Sequence, residues 1–231
     1  MTDDFVADVT SVAALSEPVR RRLYRYVVSR DAPVSREDAA AGTGVAHHVA
    51  KFNLDRLVAD GLLEVQYSRP PGRGGPGAGR PAKLYRRAGR DIAVTLPGRR
   101  YHLAGQVMAE AITAAGRAGV PLAEALTAAA RTTGRRLGEA AGGPRRPPAE
   151  RVTEILERHG YEPRPANHEI VLANCPFHSL AAEYPELVCG INLDLVGGVL
   201  DAVGAGDLCA RLDPAPGRCC VTIASSLPAR A

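Results

Sequence analysis

"APVSREDAAAGTGVAHHVAKFNLDRLVADGLLEVQYS", residues 32–68, carries the pattern on which the fold of the front half turns. Ser35 suits an N-cap, because its hydroxyl can accept from the free N–H groups of a first helical turn. A short helix is therefore expected over 36–41, broken by Gly42-Thr43-Gly44. A second helix is expected over 46–60, with Val49, Leu54, Leu57 and Val58 on its buried side. Gly61 should end it, and "LLEVQYS" alternates as a strand does. Two helices joined by a tight glycine-containing turn have helix-turn-helix spacing.

Upstream, "ALSEPVRRRLYRYVVSR" (14–30) predicts another helix, with Ser16 as N-cap, Glu17 at the positive helix end and Pro18 in a first turn that needs no N–H. Val19, Leu23, Tyr26 and Val27 recur on one face, and Arg20, Arg21, Arg22 and Arg25 fall mostly on the other. Downstream, "SRPPGRGGPGAGRPAKLYRRAGR" (68–90) has seven basic residues, four Pro and no acid. Set between "LLEVQY" and "KLYRR", it reads as a β-hairpin with a long glycine-rich tip. Arginines there can enter a minor groove or meet phosphates.

"ALSEPVRRRLY", "LVADGLLEV" and "GRPAKLY" resemble the winged helix-turn-helix regulators of the ArsR and TrmB kind, over residues 11–90. The resemblance implies that the helix over 46–60 enters the major groove of double-stranded DNA. Its outward residues are then Ala46, His47, His48, Ala50, Lys51 and Asn53. His47 or Lys51 could meet guanine acceptors or phosphate, and Asn53 could meet adenine or the backbone. Arg73, Arg80 and Lys83 of the wing complete the expected DNA-binding set. His47 and His48 do not suit a metal, since neighbours on a helix point about 100° apart.

Charge supports this division. Residues 1–100 carry 17 Lys and Arg against 11 Asp and Glu, while the remainder carries 12 against 14. A basic front half suits a nucleic-acid partner. The acidic, polar start (MTDD) is unlike a secretory signal, and no apolar run reaches the roughly 18–20 residues of a membrane span. A cytosolic location is expected, without a membrane partner.

"GRRYHLAGQVMAEAITAAGRAG" (98–119) and "PLAEALTAAARTTGRRLGEAAGG" (121–143) read as Ala-rich helices with thin apolar faces. They are assigned to a linker and homodimer interface over 93–145, between a DNA-binding domain over 1–92 and a rear domain over 146–231. Packing onto the rear domain is the alternative. Symmetric dimers of this kind read palindromic operators. The rear stretch alternates helices with short strands, including a hairpin over 208–224, and is read as small α+β; the whole chain is α+β.

All five cysteines lie in that rear domain. Cys175 leaves a strand end, Cys189 is expected in the first turn of a helix, and Cys219 and Cys220 are expected to face opposite ways along a strand, with Cys219 turned toward the other two. The spacing matches neither paired zinc ribbons nor compact ferredoxin motifs. It leaves open a zinc site with His178, buried apolar thiols, or a disulfide switch. "NCPFHSLAAEYPELVCGIN" (174–192) and "GRCCVTI" (217–223) behind such a front half are similar to the SufR group, repressors of iron–sulfur assembly operons. That resemblance implies an iron–sulfur cluster on Cys175, Cys189 and Cys219, with His178, Cys220 or an exogenous ligand as the fourth. One cysteine spacing and the extra Cys209 and Cys220 depart from the group's pattern. No CxxC, nucleophile elbow, phosphate loop or paired carboxylates point to catalysis, so the chain is read as a regulator, not an enzyme.

Overall fold

The computed structural model describes residues 3–68, 81–142, 146–166 and 169–226. The chain is α+β and divides into two compact units, Met1–Val94 and Thr95–Ala231. Arg73, Arg80 and the hairpin tip lie outside the described residues.

The first unit runs α1 (Asp3–Ala14), α2 (Pro18–Val28), β1 (Val34–Ser35), α3 (Arg36–Thr43), α4 (His47–Ala59), β2 (Leu63–Ser68) and β3 (Ala82–Arg87). Its antiparallel sheet has the order β1-β3-β2, and Tyr85 at its centre pairs with Val34 on one side and Val65 on the other. Leu23, Val27, Leu54, Leu57, Leu63 and Tyr85 form the heart of the core. Ser35 caps α3 by accepting from the Asp38 N–H at 3.0 Å, and Gly44 and Gly61 take the positive φ that stops α3 and follows α4.

Two local expectations change. The cap of α2 is Glu17, not Ser16: both carboxylate oxygens are used, accepting from Val19 N and Arg20 N, while the Ser16 hydroxyl turns back to the Ala13 carbonyl. Helix α1, not anticipated, is fastened by the Ser11 hydroxyl at the Asp60 carbonyl (2.6 Å) and by Asp8, which accepts from Arg90.

The second unit comprises α5 (Tyr101–Ala118), α6 (Leu122–Ala140), α7 (Pro148–Arg158), β4 (Pro163–Ala166), β5 (Glu169–Leu172), α8 (His178–Glu183), α9 (Pro185–Val203), β6 (Leu208–Leu212) and β7 (Val221–Ser225). The antiparallel sheet runs β4-β5-β7-β6. Helix α9 is its apolar axis, burying Val188, Ile191, Leu195, Val196 and Val199. The expected boundary at 145 is corrected here: α5 and α6 belong to the same unit as the rear residues and share one core with them. The reason is close approach rather than bulk. Gly134 and Gly138 of α6 face the Leu195 carbonyl and Ala202 of α9, and Gly198 of α9 faces the Arg131 carbonyl, so the backbones nearly touch where the sequence shows few large apolar residues.

Candidate functional site

Helix α4 presents one face to solvent and one to the core, and the division follows helical spacing. Ala46, just before it, His47, His48, Lys51 and Arg56 are exposed, with Asp55 partly so. Ala50 and Asn53, expected outward, are buried instead, at 0% and 7% exposure. Ala50 lies four residues before Leu54 and Asn53 four before Leu57, on the core stripe, and Asn53 spends its amide on the Val49 carbonyl (2.9 Å). The outward residue that hydrophobicity conceals is Phe52, 68% exposed.

Neighbouring charges tie α4 to α3 and to the wing. His47 Nε2 lies 3.1 Å from Glu37 Oε1. Burial pushes the Glu37 carboxyl up, but its own backbone N–H, His47 and Arg36 outweigh this and hold it low. Lys83 of β3 donates to Asp55 of α4, and the Tyr85 hydroxyl donates to the same oxygen at 2.8 Å. Asp55 is thereby lowered against the effect of burial, and Tyr85 is raised by burial and by Asp55. Lys83 therefore first braces wing against helix. With Arg36, Lys51 and Tyr67 these groups line a polar cavity of about 460 Å³.

In the second unit four cysteines gather as two pairs. Cys175 and Cys219 are both free and buried, and each shifts the other's titration. Cys189 and Cys220 are joined as a disulfide with Cα atoms 6.4 Å apart, inside the usual range of roughly 4.4–6.8 Å. Cys175, Cys189 and Cys220, with His178 and Arg218, line one cavity of about 260 Å³. Cys219 lies buried beside Cys175, and Cys209 sits exposed on β6. Of the two neighbours just before β7, Cys219 meets Cys175 as expected of it, whereas Cys189 is met by Cys220. Cys189 lies past the first turn of α9, which begins at Pro185, and not within it as expected.

Two N–H groups aim at the Cys219 sulfur: Cys219 Sγ receives Asn192 Nδ2 at 3.1 Å and Val221 N at 3.5 Å. Asn192 is itself fully buried and accepts from the Tyr161 hydroxyl, which fixes its amide. Asn174 holds the approach to Cys175. It donates to the Gly98 and Gly160 carbonyls and accepts from Arg99, which also reaches the Cys175 carbonyl. The Cys175 thiol is lowered to about 7, first by Cys219, then by the Phe177 backbone and the Arg99 charge, against burial. Cys219 is pushed up by Cys175 and by burial, so Cys175 takes the pair's first negative charge. Among the described residues no three or more His, Cys, Asp or Glu side chains stand arranged to hold a metal ion, Cys189 and Cys220 being spent on each other. No helix there is long and apolar enough to cross a membrane.

No curated protein and no solved structure matches the chain. Residues 15–66 match the family model of a helix-turn-helix domain, which takes in α2 to most of β2 and leaves the cysteine-bearing unit uncovered. With helices α3 and α4 and the hairpin behind them, the match supports a DNA-binding transcriptional regulator with a winged helix-turn-helix.

Proposed function

We propose that this regulator is a cytosolic homodimeric repressor that reports iron–sulfur or redox status through Cys175, Cys189, Cys219 and Cys220. The observation that carries the reading is the pair of N–H donors, from Asn192 and Val221, on the buried sulfur of Cys219, which is free like the buried Cys175. A neutral thiol is a weak acceptor, and a buried amide such as Asn192 is poorly satisfied by one. The same donors suit thiolates that ligate a metal or cluster, whose sulfurs commonly receive such bonds.

The donor set fits such a group once the Cys189–Cys220 bond is reduced by thiol–disulfide exchange with an external dithiol, which gives up two electrons and two protons and leaves as its own disulfide, so that four thiols stand in one region. Cys175, Cys189 and Cys219 would hold an iron–sulfur cluster, with Cys220 as the fourth ligand; bound there, it would supply an oxygen-sensitive electron acceptor. Arg99, Asn174 and Asn192 position the sulfurs and offset their negative charge. Lys51, His47 and His48 of α4 then contact a palindromic operator, and no catalytic step is assigned to the chain.

Zinc is the second reading, favoured by His178 at the cavity beside three cysteines. Anaerobic purification from iron-replete cells, with a visible spectrum and iron, sulfide and zinc analysis, separates the two. Matched iron and sulfide, with operator affinity that changes when they are removed, is the expected result. A colourless protein holding zinc would replace it with the second reading. A metal-free protein that resists reconstitution would overturn both.

A further inference from the structure

Phe52 is a feature of α4 that the core of the first unit does not explain. It lies in the first half of α4 and is 68% exposed. Its helical neighbours four residues either side, His48 and Arg56, are exposed as well, and Lys51 stands next to it. The opposite face carries Ala50, Asn53, Leu54 and Leu57, all buried. A phenyl ring left in water is disfavoured by the hydrophobic effect, and a structural role would have turned it toward that stripe. Here it is the large apolar group on a face bordered by His48, Lys51 and Arg56.

A partner for that face must be anionic around its edge and apolar at one point. The major groove of DNA offers phosphates on both sides and, on its floor, the 5-methyl of thymine as its apolar group. Asp55, the acid on this face, is turned to Lys83 and Tyr85 and so does not oppose a polyanion at full charge. We infer that Phe52 is a specificity-determining residue that reads thymine by packing its ring against the 5-methyl group. The inference rests on α4 being the helix that enters the groove, and it adds a base preference that His47, His48 and Lys51 do not supply.

The test begins with sites selected from a random duplex library by the full-length chain. Each thymine of the selected site is then replaced in turn by deoxyuridine, which removes the methyl and leaves every hydrogen-bonding group. At one thymine in each half-site the replacement should weaken binding about fourfold, the worth of one methyl group withdrawn from water. Phe52→Ala should bind the thymine site more weakly and bind thymine and deoxyuridine versions equally. Because the ring is exposed, this variant should fold as the parent does, which its circular dichroism and unfolding midpoint check. Lys51→Ala should lose affinity on both DNAs and keep the fourfold ratio. Indifference of the parent chain to every deoxyuridine would overturn the inference, as would a Phe52→Ala variant that keeps the methyl discrimination. A shift of the chain to monomer on Phe52→Ala would assign the ring to a second copy and overturn it too. Failure to enrich any sequence would instead strike the operator reading beneath it.

Discussion

Helices α4 and α9 each bury one asparagine, and they use it in opposite ways. Asn53 turns its amide back to the Val49 carbonyl on its own helix. Asn192 reaches off its helix to the Tyr161 hydroxyl and the Cys219 sulfur, joining the end of α7, the axis of the core and the segment before β7. The first unit therefore has a closed core and keeps its spare chemical capacity outside, on His48, Lys51 and Phe52. The second turns polar capacity inward, onto sulfur. A substitution that alters function in the first unit should leave its stability alone; in the second the two cannot be separated.

The severest test of that contrast is Gly134→Ala. A methyl group there runs into the Leu195 carbonyl oxygen, a backbone atom that cannot step aside without moving α9. Alanine gains helix propensity of about 1 kcal/mol over glycine, but overpacking costs of about 3 kcal/mol should dominate. Hydrogen exchange read helix by helix should show protection lost in α6 and α9 and retained in α2 to α4. If α6 and α9 keep their protection, the close approach is not what joins the middle helices to the rear ones.

Asn192→Leu comes next. It fills the same space, removes the donor from Cys219 and leaves the Tyr161 hydroxyl buried without its acceptor, at a cost of about 2 kcal/mol. Adding Tyr161→Phe should recover much of the loss, because neither group is then orphaned. Asn53→Ala, by contrast, gives up one local bond and gains helix propensity, so less than about 1 kcal/mol should change. Equal losses for the two asparagines by chemical denaturation would erase the distinction between them.

The two units also differ in how far their residues announce themselves. Ser35, Gly44 and Gly61 act through local chain geometry, so the limits of α3 and α4 were legible in sequence. Glu17 displaced Ser16 as the cap because two carboxylate oxygens can serve two N–H groups at once. Ala50 and Asn53 misled because their burial comes from helical register beside Leu54 and Leu57, and neither residue is apolar and large enough to mark a stripe. Gly134 and Gly198 contribute to packing by having no side chain, which no reading of hydrophobicity can detect. That cysteines from three distant segments would meet was readable only through resemblance. Their division into pairs depends on the bend before β7, which spacing does not encode.

The smallest effect expected is one of pH, and it too separates the units. His159, at the end of α7, is held below its ordinary value of 6.5, first by burial and then by the charges of Arg100 and Arg158 and by His102. The bond of its Nδ1 to the Ile155 carbonyl opposes this and is outweighed. The folded second unit therefore takes up a proton less readily than the unfolded chain. Unfolding between 6.5 and the lower folded value consumes a proton, so stability is full above 6.5, declines as pH falls through that window and levels off below it. In the first unit Glu17 is held low by the N–H groups of Arg20 and Val19, and Asp55 by Lys83 and Tyr85 against burial. Those carboxylates lose their contribution only as pH falls through the carboxylate range near about 4. Exchange protection should accordingly weaken first in α7 and α9 on going from pH 7 to pH 5, with α2 to α4 unmoved. His159→Gln should flatten that early decline, since glutamine can still donate toward Ile155 but takes up no proton. A decline that persists in this variant would assign the window to another group of the second unit, the Cys175 thiol at about 7 first among them.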